Sequence, residues 1–126
     1  MTEPHRVLVV EDDAEIRETM IEVLEEAGYR AIGASDGVEA LAQLRDPADS
    51  WCVVLLDLMM PNMDGWSFRA EQLRDPALSP IPVVIVSATS DVDEAAVKLQ
   101  VAAHLTKPVP LAKLVDVVDQ FCPRAA

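Results

Sequence analysis

Three short apolar runs, each about the length of a β-strand, constrain the fold of this chain most. They are RVLVV at residues 6–10, CVVLL at 52–56 and PVVIVS at 82–87. None of them alternates apolar with polar residues, as a strand with one face in water would. Uninterrupted apolar strands are typical of parallel sheets that are covered on both faces. The sequence therefore predicts buried parallel strands.

Helical patterns separate these runs. Apolar residues recur at helical spacing from Ala14 to Ala27, and Gly28 follows as a glycine often does at a helix end. Asp36 and Glu39 predict the start of a second helix that ends near Arg45. Asp13 is expected to cap the first helix, whereas Asp64 and Gly65 are interpreted as turn residues. The remaining expected elements are strands at 29–34 and 104–106 and helices at 66–74, about 91–99 and from Pro110 onward.

Five strand–helix units follow from this pattern, which predicts an α/β fold with helices on both faces of one parallel sheet. At 126 residues the chain is expected to be a single domain spanning residues 1–126. The last helix is expected to bury one apolar stripe, formed by Leu111, Leu114, Val115, Val118 and Phe121.

Composition excludes several classes of protein. A formal net charge of −12 argues against sequence-independent binding to nucleic acid or to anionic lipid. The chain has no apolar run long enough to span a membrane, and its first residues do not form a signal peptide. Cys52 and Cys122 lack metal-site spacing, so reduced thiols in a cytoplasmic protein are the expectation, and a disulfide stays open.

Polar side chains follow the predicted strands, where a parallel sheet of this kind binds its ligands. Glu11 and Asp12 follow the first strand, Asp57 the third, Ser87 the fourth and Lys107 the fifth. Clustered carboxylates repel one another unless a cation joins them, and ligands that are all oxygen favour Mg²⁺ over Zn²⁺. An Asp can act as a nucleophile towards a phosphoryl group, and an ammonium and a hydroxyl suit phosphate oxygens. The pattern predicts Mg²⁺-dependent phosphoryl transfer to Asp57.

The segments VVEDD, LLDLMMPNMDGW, VSAT and LTKPV, in this order, make nearly the whole chain resemble the receiver domains of bacterial two-component response regulators. The resemblance implies a flavodoxin-like, doubly wound (βα)5 fold with strand order 2-1-3-4-5. It implies that Asp57 accepts the phosphoryl group, that Ser87 is the switch hydroxyl, and that Lys107 binds phosphate before a cis proline. The implied metal ligands are Glu11, Asp12, Asp57 and the backbone carbonyl of Met59.

The resemblance also implies partners. The phosphoryl donor would be a sensor histidine kinase or a phosphotransfer protein, and the phosphorylated domain would signal through contact with an output protein. The domain would catalyse only its own phosphorylation and dephosphorylation. Because the chain ends soon after its last helix, it is expected to be either a stand-alone receiver or a fragment of a longer regulator or hybrid kinase.

His104 departs from the family pattern, which usually has Tyr or Phe at this position. In the family this aromatic side chain turns inward when the hydroxyl at the Ser87 position moves to the phosphate. A histidine changes its charge near neutral pH, so an inward-turning His104 would make the switch sensitive to pH. The alternative is that His104 stays outside in both states.

Two other functions remain open. A phosphatase of the haloacid dehalogenase type also uses an Asp nucleophile, but it needs a second Asp two residues later, where this chain has Met59. A receiver that works as a scaffold without phosphate is the other alternative, against which the complete set of acids, hydroxyl and lysine argues.

Overall fold

The fold is seen in a computed structural model that describes residues 6–46, 51–87 and 101–122. Its five strands are β1 Arg6–Val10, β2 Arg30–Ala34, β3 Trp51–Leu56, β4 Val83–Ser87 and β5 Ala103–Thr106. Its helices are α1 Ala14–Glu26, α2 Gly37–Leu44, α3 Gly65–Arg74 and α4 Leu111–Phe121. The helix predicted at about 91–99 lies outside the described residues.

All five strands are parallel and lie in the order β2-β1-β3-β4-β5. This confirms the α/β prediction and the strand order that the resemblance implied. The register pairs Val10 with Leu56 and Ser87 with Thr106, so the carboxyl ends of these strands meet at one edge of the sheet.

The two faces of the sheet build two separate apolar layers. Val7 and Val9 of β1 pack in one layer together with side chains of α1 and α4, whereas Leu8 and Val10 pack in another with α2 and α3. Because successive side chains of a strand point to opposite faces, a strand buried on both sides must be apolar throughout. This is why the runs are apolar at successive positions, with polar residues only at the ends, Arg6 in the first and Ser87 in the third.

Each of the first three helices begins at an aspartate. Asp13 accepts hydrogen bonds from the backbone N–H groups of Glu15 and Ile16, at 3.0 and 3.1 Å, as the sequence predicted. Asp64 accepts one from the N–H of Ser67 at 2.8 Å. The interpretation of Asp64 as a turn residue was therefore wrong, since it caps α3.

The buried stripe of α4 differs from the prediction. Leu114 and Val118 are buried as expected, but Leu111 is 46% exposed and Val117 is buried instead. Residues 114, 117, 118 and 121 follow the spacing of one helix face, with Phe121 partly buried against the core. Leu111 is the first residue of the helix and lines an open apolar groove between α1 and α4.

Cys52 and Cys122 form a disulfide, so the expectation of reduced thiols was wrong. The two residues are 70 positions apart, but their Cα atoms lie 5.3 Å apart. Cys52 lies near the beginning of β3 and Cys122 follows the last residue of α4. From the end of β5, α4 runs back along the sheet, which brings its last residue to the beginning of β3. Among the described residues, no helix is long and apolar enough to cross a membrane.

Candidate functional site

The carboxyl edge of the sheet holds the predicted site residues at the ends of four strands. Backbone hydrogen bonds continue the sheet pairing into this edge: the N–H of Asp57 donates to the carbonyl of Val10, and that of Lys107 to the carbonyl of Ser87, both at 3.0 Å. The backbone of Glu11 is held in the same way by Ala34. The acids and the lysine are thus attached to the most rigid part of the molecule.

Three carboxylates come together here. Oxygen atoms of Glu11, Asp12 and Asp57 lie within 4.8 Å of one another. Glu11 is 3% exposed and Asp57 is 6% exposed, whereas Asp12 faces solvent. Two largely buried acids so close to a third repel one another, and a hard divalent cation on their oxygens removes that repulsion.

Lys107 lies against the buried acids. Its Nζ is 3.3 Å from Oδ2 of Asp57 and donates a hydrogen bond to Oε1 of Glu11. Burial raises the pKa of Glu11, and the hydrogen bond from Lys107 offsets only part of this rise. Burial also acts to lower the pKa of Lys107, but the bond to Glu11 and the charge of Asp57 outweigh it, so that pKa is raised. The lysine therefore stays cationic at neutral pH.

Ser87 closes the site from β4. Its side chain is fully buried, and its Oγ has no hydrogen-bond partner in the part of the chain that the structure describes. A buried hydroxyl without a partner is costly, and a phosphate oxygen bound at this edge would supply the missing acceptor. An all-oxygen set of acids, a cationic lysine and this hydroxyl fit Mg²⁺ together with a phosphoryl group.

The backbone after Asp57 turns sharply around the carboxylate. Oδ1 of Asp57 accepts a hydrogen bond from the N–H of Met59 at 3.2 Å, and the N–H of Gly65 donates to the carbonyl of Leu58 at 3.0 Å. A Cβ atom on Gly65 would lie 2.8 Å from the carbonyl oxygen of Asp57 and from Cα of Leu58. Only glycine allows α3 to begin this close to the strand end. Met59 is 63% exposed, and the contact that the structure shows between it and Asp57 is through its backbone N–H.

His104 lies on β5, opposite Ile85 of β4, with its side chain exposed. In this structure the side chain of His104 thus lies outside, and its inward turn on phosphorylation stays a prediction. The sequence marked Asp36 only as a helix start and did not single out Asn62, yet the two support the loop after Asp57 through a direct hydrogen bond. The signal for Asn62 was the Pro-Asn pair at 61–62, a common turn sequence, whereas nothing local links it to Asp36.

A family comparison agrees with this geometry. The sequence profile described as "Response regulator receiver domain" matches residues 7–119, which include every site residue named above. The chain belongs to the response regulator receiver domain family. It is a receiver domain of the kind found in the response regulators of two-component systems, and this family is one of signalling domains.

Curated relatives and a solved structure are similar over most of this receiver domain. The transcriptional regulatory protein PdtaR of Mycobacterium tuberculosis is 35% identical over 92% of the chain, and the phosphate regulon transcriptional regulatory protein PhoB of Escherichia coli is 36% identical over 87%. The chain covers 56% and 48% of these relatives, about half of their length. A response regulator receiver protein from Pseudomonas putida superposes with a TM-score of 0.85 at 31% identity, covering 95% of this chain and 98% of that one.

Proposed function

We propose that residues 1–126 act as one phosphorylation-controlled switch in which Asp57 accepts a phosphoryl group with Mg²⁺. The observation that supports this most directly is the convergence of three carboxylates, a buried hydroxyl and a lysine at one strand edge. The phosphatase alternative receives no support, because it needs a second acid two residues after Asp57 and the residue there is the exposed Met59.

Glu11, Asp12, the carboxylate of Asp57 and the carbonyl of Met59 would hold the metal ion. When bound, Mg²⁺ neutralises negative charge on the acids and on the phosphoryl oxygens. Asp12 is exposed and therefore accessible to a hydrated ion, whereas Glu11 is buried beside Lys107. For this reason we assign the direct contact with the metal ion to Asp12 rather than to Glu11.

The phosphoryl donor would be the phosphohistidine of a sensor histidine kinase or of a phosphotransfer protein. An oxygen of Asp57 forms a bond to phosphorus while the bond between phosphorus and the histidine nitrogen breaks, and the histidine leaves. The ammonium of Lys107 lies 3.3 Å from Oδ2 of Asp57, where it can balance charge on the transferred group. In this step the Asp57 oxygen forms a covalent bond, and the other side chains of the site act only through charge and hydrogen bonds.

The phosphorylated state would be read by an output protein through direct contact. The Oγ of Ser87 has no hydrogen-bond partner among the described residues, so an arriving phosphate would give it an acceptor and offset the cost of its burial. Phosphorylation therefore biases the molecule towards the arrangement in which Ser87 faces the phosphate, a two-state change of the kind that switches use.

Mass measurement of the intact protein tests the phosphoryl acceptor. With a small-molecule phosphodonor and Mg²⁺, the wild type is expected to gain one phosphoryl group, and Asp57→Asn is expected to gain none. Asp75→Asn, which changes an acid at the opposite end of α3, is the matched control and should be labelled like the wild type. Equal labelling of Asp57→Asn and the wild type would contradict the assignment.

Metal dependence tests the ligand set separately. Asp12→Ala removes an exposed ligand, so it should weaken Mg²⁺ binding and slow labelling without unfolding the protein. Lys107→Ala should leave Mg²⁺ binding in place, because an ammonium is not a metal ligand. Calorimetric titration with MgCl₂ measures both, and unchanged Mg²⁺ affinity in Asp12→Ala would contradict the ligand set.

A further inference from the structure

The loop at residues 59–64 connects the end of β3 to α3 and carries the Met59 carbonyl that we assign to the metal site. Its two ends are fastened, at Met59 by Asp57 and at Gly65 by Leu58. Its middle lies against the beginning of α2, an element that contributes no ligand.

A carboxylate of α2 holds this middle part. Nδ2 of Asn62 donates a hydrogen bond of 2.7 Å to Oδ2 of Asp36, while Oδ1 of the same carboxylate accepts the N–H of Glu39 at 2.9 Å. The hydrogen bonds from Glu39 and Asn62 hold the pKa of Asp36 below its ordinary value. The bond to Asn62 is therefore charge-assisted at neutral pH, and one side chain joins the helix start to the loop.

The backbone contact beside this pair is equally close. The N–H of Gly37 donates to the carbonyl of Met63 at 3.1 Å. A Cβ atom on Gly37 would lie 2.9 Å from that carbonyl oxygen and 2.7 Å from Cγ of Met63. The loop can approach α2 this closely only because position 37 has no side chain.

Asn62 has a φ angle of 64°, in the left-handed region that a side chain disfavours, although Asn tolerates it better than most residues. The hydrogen bond to Asp36 helps to hold the loop in this conformation. Without it, the loop is expected to populate other backbone conformations, in which the backbone of Met59 is no longer held beside Asp57.

We propose that Asp36 and Asn62 are positioning residues that hold loop 59–64 in the conformation that binds Mg²⁺. This inference rests on the proposed function, because it uses the Met59 carbonyl as a ligand. The apparent dissociation constant rises as the fraction of molecules in the binding conformation falls. Loss of a group that hydrogen-bonds directly to a metal ligand typically weakens metal binding by about 10–100-fold. Asp36 and Asn62 act on the ligand through the loop, so the lower end of this range, about tenfold, is expected here.

Asp36→Ser tests the pair without removing the helix cap. Serine caps helices well, but it is too short to keep both Glu39 and Asn62 as partners. Calorimetric titration with MgCl₂ should show about tenfold weaker binding, with a midpoint of thermal unfolding within a few degrees of the wild type. Asp75→Ser carries the same change in charge at the far end of α3 and should bind Mg²⁺ like the wild type.

An exchange of the two side chains provides a rescue. Asn62→Asp places two carboxylates together and should weaken Mg²⁺ binding, although the added charge alone would strengthen it. Adding Asp36→Asn restores the pair with its direction reversed, since the new amide can cap α2 with its oxygen and donate to the new carboxylate. The double variant has the net charge of the wild type and should recover most of the Mg²⁺ affinity.

The outcomes separate this inference from the proposed function. If the wild type does not bind Mg²⁺, or if Asp12→Ala binds it equally well, the proposed metal site itself is wrong. If the wild type binds, Asp12→Ala does not, and Asp36→Ser and Asn62→Asp bind as the wild type does, only the positioning role is overturned. Weak binding in the single variants without recovery in the double variant also overturns the pair, because the loss would then not depend on their hydrogen bond.

Discussion

Lys107 is the cation that balances the buried acids, and its replacement by methionine is predicted to destabilise the fold. The side chain of Lys107 is 18% exposed, and the side chains of Glu11 and Asp57 are 3% and 8% exposed. Methionine retains most of the length of the aliphatic stem but removes the charge. The variant therefore leaves two largely buried carboxylates beside each other without a counter-charge.

The expected loss is about 2–3 kcal/mol at neutral pH. A hydrogen bond to a charged group contributes about 1.5–3 kcal/mol, and an unpaired buried charge costs more, but the neighbouring Asp12 is exposed, so water reaches the edge of the acid cluster. Because the folded-state pKa of Lys107 is raised, its contribution is fully present below its ordinary pKa of 10.5 and is lost only as the pH rises through the folded value. At this size, 2–3 kcal/mol corresponds to a fall of about 10 °C in the unfolding midpoint.

The loss should depend on Mg²⁺. A divalent cation on the same oxygens takes over the balancing of charge, and it binds the more negative variant site more tightly. MgCl₂ should therefore stabilise Lys107→Met more than it stabilises the wild type. The difference in unfolding free energy between Lys107→Met and the wild type should be largest when a chelator removes the metal ion.

Urea unfolding followed by circular dichroism, with chelator and with MgCl₂, measures both effects. Lys113→Met makes the same substitution at an exposed lysine of α4 and should change stability by less than about 0.5 kcal/mol. The reasoning is refuted if Lys107→Met unfolds at the wild-type midpoint in chelator, or if MgCl₂ stabilises both proteins equally.

Three further predictions concern other parts of the molecule. The pKa of Asp36 is lowered in the folded protein, so its carboxylate contributes fully to stability above its ordinary pKa of 3.8, and this contribution is lost as the pH falls through the pKa of the folded state. In urea unfolding, Asp36→Asn should therefore lose less stability than the wild type between pH 6 and pH 2.5. Leu114→Ala should cost about 3 kcal/mol in the same assay, whereas the exposed Leu111→Ala should cost less than about 1 kcal/mol, and similar losses would contradict the assigned face of α4. If His104 turns inward on phosphorylation, the gain in partner affinity should be smaller at pH 6 than at pH 8, and His104→Tyr should remove that difference; equal gains would leave His104 outside.

The sheet and the site edge could be predicted because their signals are local. Each apolar run is a strand of the observed sheet, and the polar residue that ends each run points to the carboxyl edge. Parallel pairing then gathers the strand ends at one edge. The strand order that makes Glu11, Asp57, Ser87 and Lys107 neighbours came from the family resemblance and not from the local signals. The roles of these residues stay proposals, since geometry alone does not show a reaction.

Features that depend on tertiary packing could not be read from the sequence in the same way. Which face of α4 is buried is set by the position of the helix on the sheet. For this reason the sequence placed Leu111 in the buried stripe and left out Val117. The disulfide depends on where α4 ends relative to β3, which the spacing of Cys52 and Cys122 does not reveal. The bond between Asp36 and Asn62 likewise joins two elements that are distant in sequence.

The parallel order of the sheet has a consequence for how the site forms during folding. Lys107 and Glu11 are 96 residues apart in sequence, and Lys107 and Asp57 are 50 apart. Bringing together residues that are so far apart in sequence costs chain entropy, and this cost is offset only once the intervening strands have paired. A partly folded chain that has only β1, β2 and β3 in place holds the acids without the lysine or the serine. On the proposed function, phosphoryl acceptance at Asp57 therefore requires the completed sheet, and labelling would distinguish fully folded molecules from partly folded ones.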